Sequence, residues 1–242
     1  SSIKIDNFAL IINKNINIYS TPIMHTFSIP NWNVPEPALR RLPWYLSYIK
    51  LLKKKGQTHV SSTQIAKKIN VSSTQIAKDL SYVKVSGKTR VGYEISLLID
   101  VLETFLGFTS QHKAVILGVG SLGGALLGDS GLEQFGLKIF AGFDVSDGVI
   151  GCKINDIPVY HIDDFAKYNN KIDADIAILT VPPDNAQEVA DFAIKNGVRA
   201  IWNFTPFRIR VPEHIVLQNT SLYAHLAVMF NRLSVNASNS KK

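Results

Sequence analysis

Cysteine and long apolar runs are what this sequence most clearly lacks. Cys152 is the only cysteine, which excludes an internal disulfide and a cysteine-based zinc site and fits a reducing cytoplasm. We interpret it as an inert small residue. No apolar run reaches the ~20 residues that a membrane span needs. Lys4, Asp6 and Lys14 interrupt the apolar residues near the N-terminus, so we expect no signal peptide and a cytoplasmic protein.

Acidic residues are scarce in one short segment. Residues 34–92 hold 12 Lys and Arg against 2 Asp and Glu, whereas the rest of the chain holds 14 against 17. The net charge of +7 therefore comes entirely from this segment. Such a concentration favours a polyanion, such as nucleic acid, as the partner. A solvated, lysine-rich surface is the alternative.

The same segment contains an internal repeat. Residues 61–67 read SSTQIAK, and residues 72–78 read the same. In each copy a glutamine follows the first serine by three residues, which is the pattern of a capping box and predicts a helix start. Two such starts, separated by a turn near Asn70, are typical of a helix-turn-helix. Apolar residues along residues 37–55 predict a helix that precedes the motif.

The second copy of the repeat would be the recognition helix, whose first side chains meet base edges in the major groove. Gln can bind adenine, and Lys can bind guanine or a phosphate. Alternating apolar residues about a turn at Gly87 predict a β-hairpin wing. A three-helix protein-binding module is the alternative, but it leaves the charge and the basic hairpin unexplained. The predicted DNA-binding residues are Arg40, Arg41, Ser61, Ser62, Ser72, Ser73, Gln75, Lys78, Lys84, Lys88 and Arg90.

A glycine fingerprint follows an apolar strand in the second half of the chain. Gly118 permits the tight turn, Gly120 lets the backbone approach a pyrophosphate, and Gly123 lets the helix pack on the strand. Asp144 ends the next predicted strand, 21 residues after Gly123, near the ~20-residue spacing at which a carboxylate binds the ribose hydroxyls of NAD. The pattern therefore predicts NAD(H) as the cofactor.

Two later strand ends are expected to line the nicotinamide half of the same crevice, because ligands of such sheets bind at the carboxyl ends of the strands. They read Thr-Val-Pro from residue 180 and Asn-Phe-Thr-Pro from residue 203. The predicted cofactor-binding residues are Gly118, Val119, Gly120, Ser121, Leu122, Gly123, Asp144, Thr180, Val181, Pro182, Asn203, Phe204 and Pro206.

Strand and helix patterns alternate from Lys113 onward, which is typical of a parallel α/β sheet. We expect a two-domain α/β protein, with an N-terminal winged helix-turn-helix and a C-terminal Rossmann domain with a doubly wound parallel sheet. The predicted division is a poorly ordered extension (1–33), a DNA-binding domain (34–93), a connecting helix and linker (94–112), an NAD(H)-binding domain (113–220), and a C-terminal dimerisation helix and tail (221–242). The strands are predicted at 114–118, 138–144, 174–181 and 200–204.

Binding of the cofactor is favoured over its consumption. A dehydrogenase needs a proton donor or acceptor near the nicotinamide, and the candidates His161, His214 and His225 do not fall beside a strand-end cluster. We therefore expect that the protein is not an enzyme. We also expect no metal site. An NAD-dependent oxidoreductase with an accessory basic domain is the alternative. A scaffold whose pocket is vestigial, or holds a CoA-type nucleotide, is a third possibility.

From residue 34 to about residue 233 the sequence resembles the Rex family of redox-sensing repressors. The segments that carry the resemblance are Val-Pro-Glu (34–36), Arg-Leu-Pro (41–43), Lys-Asp-Leu-Ser-Tyr (78–82), Val-Gly-Tyr (91–93), the glycine fingerprint, Ala-Gln-Glu-Val-Ala-Asp (186–191) and Asn-Phe-Thr-Pro (203–206). The resemblance implies a homodimer whose C-terminal helix, residues 221–233, packs into the partner subunit. It also implies an inverted-repeat operator and release from DNA on binding NADH.

Three positions depart from the family pattern. Where members often carry a Tyr-Pro-Gly-Phe loop, this chain has Asp129 followed by Ser-Gly-Leu. Ser221 stands where Asp is usual, and Ser47 where a basic residue is usual. The resemblance implies that these three positions link the state of the bound cofactor to the arrangement of the two domains. It therefore supports the fold and NAD(H) binding more directly than it supports the strength of the redox response.

Overall fold

The computed structural model describes residues 34–239, and the predicted extension, residues 1–33, lies outside them. Its helices are α1 (Glu36–Lys54), α2 (Ser62–Ile69), α3 (Ser73–Tyr82), α4 (Ile95–Phe105), α5 (Ser121–Leu127), α6 (Phe165–Ile172), α7 (Ala186–Lys195) and α8 (Leu222–Asn239). Its strands are β1 (His59–Val60), β2 (Tyr93–Glu94), β3 (His112–Leu117), β4 (Leu137–Asp144), β5 (Lys153–Ile154), β6 (Ile157–His161), β7 (Ile176–Leu179), β8 (Ala200–Asn203) and β9 (Val216–Asn219).

Helices α1 to α4 share one apolar core with β1 and β2, and we call residues 36–105 the N-terminal unit. Tyr45 and Ile49 of α1, Ile65 of α2 and Ile76 of α3 are fully buried in it. The connecting helix, α4, adds Leu98 to the same core. The predicted connection is therefore a structural part of the N-terminal unit, because its apolar stripe has α1 to pack against.

The repeat forms the two helices that its serines predict. Ser61 caps α2 and Ser72 caps α3, each accepting a hydrogen bond from the backbone N–H of the glutamine three residues on, at 3.1 and 3.2 Å. Asn70 ends α2 in the left-handed conformation with φ 59°, which Asn tolerates better than most residues. The helix-turn-helix prediction is confirmed at this level.

The wing is a small hairpin whose turn lies farther along the chain than predicted. Lys88 and Gly92 form an antiparallel bridge, so the three residues between them make the turn, and the prediction of a turn at Gly87 was wrong. Gly92 has φ +91°, and a Cβ there would lie 2.4 Å from the carbonyl oxygen of Val60. The close approach of the wing to β1 therefore fixes the turn, and alternation of apolar residues does not reveal such an approach.

The second half of the chain is built on a seven-stranded sheet in the order β5-β6-β4-β3-β7-β8-β9. Neighbouring strands are parallel except for β5, which is antiparallel to β6. The six parallel strands have the order of a doubly wound dinucleotide-binding fold, which reverses between β3 and β7. The predicted fold class is confirmed, and the reversal marks where a ligand would bind.

Both faces of this sheet are covered, as a parallel sheet requires. One face packs with α6 and α7 through Phe143, Phe165 and Ala190, and the other packs with α5 through Ile116 and Leu127. The predicted strands correspond to β3, β4, β7 and β8, with ends that differ by at most two residues. Sequence patterns did not predict β5, β6, β9 or α6.

Helix α8 leaves its apolar side chains exposed in the single chain. Leu222, Tyr223, Leu226, Phe230 and Leu233 are between 39% and 65% exposed. Their spacing places them on one stripe of the helix. None of the helices in residues 34–239 combines the length and the apolar character that crossing a bilayer requires.

Candidate dinucleotide cleft and nucleic-acid interface

The glycine fingerprint forms a tight turn between β3 and α5 that presses against β7. Gly118 has φ +94°, and a Cβ there would lie 2.9 Å from the backbone of Thr180. A Cβ on Gly123 would lie 2.0 Å from the carbonyl oxygen of Gly118, whereas one on Gly120 would have no atom within 4 Å. The Thr180 hydroxyl donates to the Gly118 carbonyl at 2.6 Å. The turn is therefore held from behind and open at Gly120, where a pyrophosphate would approach.

Asp144 holds its carboxylate at the end of β4 through three backbone N–H groups. Oδ2 accepts from Val119 at 2.5 Å, and Oδ1 accepts from Val145 and Ser146 at 2.7 and 2.8 Å. These bonds fix the side chain beside the glycine turn and still leave lone pairs, since a carboxylate can accept about four hydrogen bonds. The carboxylate is therefore oriented before any ligand arrives, and it can accept hydroxyl donors of a ribose.

A cleft of about 540 Å³ opens at this point, at the carboxyl ends of β3, β4 and β7. Six of the predicted cofactor-binding residues line it: Gly118, Gly120, Asp144, Thr180, Val181 and Pro182. Six further residues that sequence reasoning missed complete the lining: Leu117, Phe143, Val145, Ile162, Asn185 and Val189. The missed residues give the cleft an apolar wall beside the carboxylate, which suits a flat heteroaromatic ring next to a ribose.

The other predicted cofactor residues lie around the cleft without lining it. Val119 is buried, while Ser121 and Leu122 are exposed at the start of α5. At the end of β8, Asn203 is 1% exposed, and the ring of Phe204 packs on Trp202 with centroids 4.7 Å apart. Pro206 is exposed in the loop that follows. Cofactor binding by Val119, Ser121 and Leu122, and binding of the nicotinamide half by Asn203, Phe204 and Pro206, stay predictions.

The predicted DNA-binding residues form two groups on the N-terminal unit. Ser72, Ser73 and Lys78 lie on the first two turns of α3, with the Lys78 side chain exposed. Ser61, Ser62, Lys88 and Arg90 share a second hollow of about 310 Å³ between α2 and the wing. Hydroxyls at a helix start and two cations around one hollow suit a phosphate. Arg40 pairs instead with Glu36 on the surface of α1, at 2.6 Å, and Lys84 is exposed and adopts φ 56° after α3.

Arg41 and Gln75 are engaged within the protein by Asp79, a residue that sequence reasoning gave no role. Asp79 is completely buried on α3. The Arg41 guanidinium donates to both of its oxygens at 2.7 and 2.8 Å, and the Gln75 amide donates at 2.8 Å. The Tyr45 hydroxyl adds a fourth bond at 2.7 Å. This cluster, which we call the Asp79 cluster, joins α1 to the recognition helix.

The charges in the Asp79 cluster favour an ionised carboxylate. Burial acts to raise the pKa of Asp79, but the hydrogen bonds from Arg41, Tyr45 and Gln75 together outweigh it and lower the pKa below its ordinary value. The hydrogen bond to Asp79 also raises the pKa of Arg41, and burial raises the pKa of Tyr45. One signal in the sequence could have indicated the cluster, because Asp79 is the only acidic residue between Glu36 and Glu94.

Two protein-family models match the chain. The model described as a putative DNA-binding protein N-terminus matches residues 33–81, and the model described as a CoA binding domain matches residues 109–207. The first covers the helix-turn-helix, and the second covers the glycine turn and the cleft. Each half of the chain therefore has a match of the kind that its geometry suggests.

Curated relatives match more than four fifths of the chain. A redox-sensing transcriptional repressor Rex of Bacteroides thetaiotaomicron is 64% identical over 203 residues, covering 84% of this chain and 92% of the relative. This chain belongs to the Rex family. A Rex of Porphyromonas gingivalis is 56% identical over 211 residues, covering 87% of this chain and 97% of the relative.

Solved Rex-family structures share the fold of this member. The crystal structure of RSP in complex with β-NAD⁺ and operator DNA has a TM-score of 0.80 and 32% sequence identity, covering 86% of this chain and 96% of RSP. RSP in complex with β-NADH has a TM-score of 0.77 and 32% identity, covering 86% of this chain and 98% of RSP. A third structure describes RSP as a Rex-family repressor.

The second and third glycines of the fingerprint, Gly120 and Gly123, allow a test of how the cleft is built. We expect Gly123→Ala to lower the free energy of unfolding by about 1–3 kcal/mol, because its Cβ would overlap a backbone oxygen. Gly120→Val, with open space around it, should leave stability nearly unchanged but weaken NADH binding about tenfold or more, because the pyrophosphate needs that space.

Urea denaturation and calorimetric titration with NADH measure the two effects. Gly124→Ala is the matched control on α5, since its Cβ would meet only a side-chain carbon at 3.8 Å. That variant should keep both stability and NADH affinity. Full NADH affinity in Gly120→Val would contradict the placement of the pyrophosphate at this turn.

Proposed function

We propose that this Rex-family protein is a transcriptional repressor that binds operator DNA through the N-terminal unit and responds to the NADH/NAD⁺ ratio through the cleft. The observation that carries the proposal is the combination of two sites in one chain. The helix-turn-helix with its basic wing suits duplex DNA, and the glycine turn with Asp144 suits a dinucleotide. RSP, a relative with the same fold, has been crystallised with NAD⁺ and operator DNA and with NADH.

The residues of the cleft favour NAD(H) over NADP(H), which carries an additional phosphate on its ribose. The Asp144 carboxylate would accept the ribose hydroxyls of NAD and would repel the additional phosphate of NADP. Gly118 and Gly120 would bring backbone close to the pyrophosphate, and the N-terminus of α5 would face it. Phe143, Ile162 and Val189 supply the apolar wall for the adenine. When bound, the dinucleotide supplies the redox signal, and the residues of the cleft orient it and exclude water.

A CoA-type nucleotide is the second candidate ligand, because the matching family model is described as a CoA binding domain. CoA carries a phosphate on its ribose, and the Asp144 carboxylate would face that charge, since no Lys or Arg is among the described residues that line the cleft. Calorimetry with NADH, NADPH and CoA separates the candidates. NADH should bind at least about tenfold more tightly than the other two, and preferential binding of CoA would overturn the assignment.

We infer a regulatory role without turnover of the cofactor. The relatives are named as transcriptional repressors. Contrary to the sequence-based expectation, His161 ends β6 next to Ile162 of the cleft lining, but its Nδ1 accepts a hydrogen bond from the backbone N–H of Asp163 at 3.2 Å. His214 and His225 are exposed and are not among the residues that line the cleft. Sustained oxidation of NADH in the presence of small carbonyl compounds would favour the alternative, an NAD-dependent oxidoreductase.

We propose that the protein acts as a homodimer in the cytoplasm, on an operator that is an inverted repeat. The exposed apolar stripe of α8 supports the dimer, because such a surface is rarely left in water. Trp44 and Leu51 of α1, at 60% and 51% exposed, offer apolar surface that the α8 helix of a second copy could cover. In a dimer the two α3 helices would read half-sites about 34–36 Å apart, or a multiple of that.

The test of the DNA response begins with a duplex selected by the purified protein from a random library. Fluorescence anisotropy then measures its affinity with saturating NADH, with saturating NAD⁺, and without cofactor. We expect NADH to weaken binding by about 5–150-fold, the usual range of such couplings, and NAD⁺ to leave it unchanged or stronger. Equal affinity in the three conditions would overturn the redox response and leave the DNA-binding assignment standing.

The hollow between α2 and the wing gives a separate prediction about DNA affinity. We expect Lys88→Ala combined with Arg90→Ala to weaken binding to all duplex sequences alike. The slope of log affinity against log salt should become shallower by up to about 2, because each phosphate contact contributes about 0.9.

A matched control removes two charges from the last turn of α1, through Lys53→Ala and Lys54→Ala. The control lowers the net charge by the same amount but leaves the hollow intact. The same change of slope in both variants would show a general charge effect and contradict the assignment of the hollow to phosphate.

A further inference from the structure

We propose that Asn203 is a positioning residue that passes the occupancy of the cleft to helix α8. Its side chain and backbone lie between the strand ends beside the cleft and the segment that leads into α8. The proposal rests on the proposed function, since it describes how a bound dinucleotide would alter the helix that we assign to the dimer. It concerns the bonds of one buried amide, which we call the Asn203 node.

Every polar atom of the Asn203 side chain is engaged. Its Nδ2 donates to the Phe207 carbonyl at 2.8 Å and to Asn219 Oδ1 at 2.9 Å. Its Oδ1 accepts from the backbone N–H and the hydroxyl of Thr205 at 3.0 and 2.8 Å. Asn203 and Thr205 are 1% and 5% exposed. Because an unpaired buried amide is costly, these groups should move together rather than separately.

On one side the Asn203 node connects to the cleft. The backbone N–H of Phe204 donates to the carbonyl of Leu179 at 2.9 Å. Thr180, the next residue, lines the cleft and donates its hydroxyl to the Gly118 carbonyl. The loop that Asn203 holds, after β8, is therefore separated from the glycine turn, after β3, by the single strand β7. A dinucleotide extending across the crevice from that turn would reach this strand end.

On the other side the Asn203 node holds the start of α8. The carbonyl of Asn203 accepts from the backbone N–H of Thr220 at 2.8 Å. The Thr220 hydroxyl accepts from the Trp202 indole N–H at 2.9 Å. Together with the bond from Asn203 to the Asn219 side chain, these make three hydrogen bonds between the end of β8 and the consecutive residues Asn219 and Thr220, which precede α8. Helix α8 begins at Leu222, so a shift of the node reaches its first turn within two residues.

The variant that tests the Asn203 node combines Asn219→Ala with Thr220→Val. It removes the two side-chain bonds on the α8 side and leaves the bonds of Asn203 to Thr205 and Phe207. Asn219 is exposed, and valine has nearly the shape of threonine, so the sheet core is untouched. Gln218→Ala, also exposed and on the same strand, is the matched control because the Gln218 side chain bonds to the Asn219 carbonyl and not to the side chain of Asn203 or Trp202.

Hydrogen exchange of the full-length protein, with and without NADH, is the measurement. In the unaltered protein we expect NADH to change the exchange of amides in residues 118–127 and also in the first two turns of α8. In the double variant the change in residues 118–127 should persist, and the change in α8 should shrink about fivefold or more. The Gln218→Ala control should behave as the unaltered protein does.

Two results would overturn this inference. One is an α8 response of full size in the double variant, and the other is an unaltered protein in which NADH affects residues 118–127 but not α8. A failure of the proposed function looks different. In that case α8 would respond to NADH through the node while affinity for the selected duplex stayed the same.

Discussion

Replacing Asp79 with alanine is expected to lower the free energy of unfolding of the N-terminal unit by about 3–5 kcal/mol. Removing one partner of a buried ion pair leaves the other charge and its donors without compensation, which is more costly than the net value of the pair. Here the Arg41 guanidinium and the Tyr45 hydroxyl would each lose their bond to the carboxylate. Urea denaturation followed by circular dichroism measures the effect.

The surface ion pair on α1 provides the control for Asp79. Arg40 and Glu36 are 2.6 Å apart, but their side chains are 61% and 70% exposed, compared with 0% for Asp79. Glu36→Gln should therefore change stability by less than about 1 kcal/mol. If Asp79→Ala and Glu36→Gln were equally mild, the Asp79 cluster would not hold α1 against α3.

The same cluster gives the stability a pH dependence of known sign. The pKa of Asp79 is lowered in the folded state, so its ionisation stabilises the fold above the ordinary aspartate pKa of about 3.9. That contribution to stability is lost as the pH falls from the ordinary aspartate pKa toward the lower pKa of Asp79 in the folded protein. Unfolding measured from pH 6 to pH 3 (about the accessible range for carboxylates) should show a shallower decline in Asp79→Asn than in the unaltered protein.

Charged residues on the apolar stripe of α8 are expected to convert the dimer to a monomer and to weaken operator binding by about 100-fold or more. Leu226→Glu with Phe230→Glu places two carboxylates on the stripe that the second copy would cover. Linked half-site readers gain about 10²–10⁴ in affinity over single ones, and the monomer loses that gain. Sedimentation gives the mass, and anisotropy with the selected duplex gives the affinity.

The opposite face of α8 carries the control. Asn231 lies about 140° around the helix from Leu226, near the centre of the stripe, and Asn231→Glu should leave both mass and affinity unchanged. A double variant on the stripe that remains a dimer would contradict the assignment of α8 to the interface. Full operator affinity in a proven monomer would contradict the need for two recognition helices.

Local patterns were sufficient to predict the main elements of this protein. Serine caps specify where α2 and α3 begin, because their hydroxyls accept hydrogen bonds only from nearby amides. The glycine turn and Asp144 were predictable for the same reason, since a short strand-turn-helix unit fixes their spacing. Strands β5, β6 and β9 were not predicted, because β5 has only two residues, a proline interrupts the apolar residues of β6, and β9 has only two apolar residues before Gln218.

Contacts between distant segments were not predictable from those patterns. Arg41 reaches Asp79 across 38 residues, and Asn203 reaches Asn219 across 16. From the sequence, Arg41 and Gln75 were predicted to bind DNA, because the basic segment suggested that role for the polar side chains near α3. Only the packing of α1 on α3 shows that a buried carboxylate engages both. The wing turn escaped for a similar reason, since the approach of Gly92 to Val60 fixes it.

The central claim is that the cleft and the DNA-binding surface are coupled, and coupling between two binding sites is reciprocal. The most direct test is the affinity for NADH measured by calorimetry in the presence and absence of saturating selected duplex. We expect the duplex to weaken NADH binding by the same factor by which NADH weakens duplex binding, about 5–150-fold. An NADH affinity that is identical with and without the duplex would contradict it.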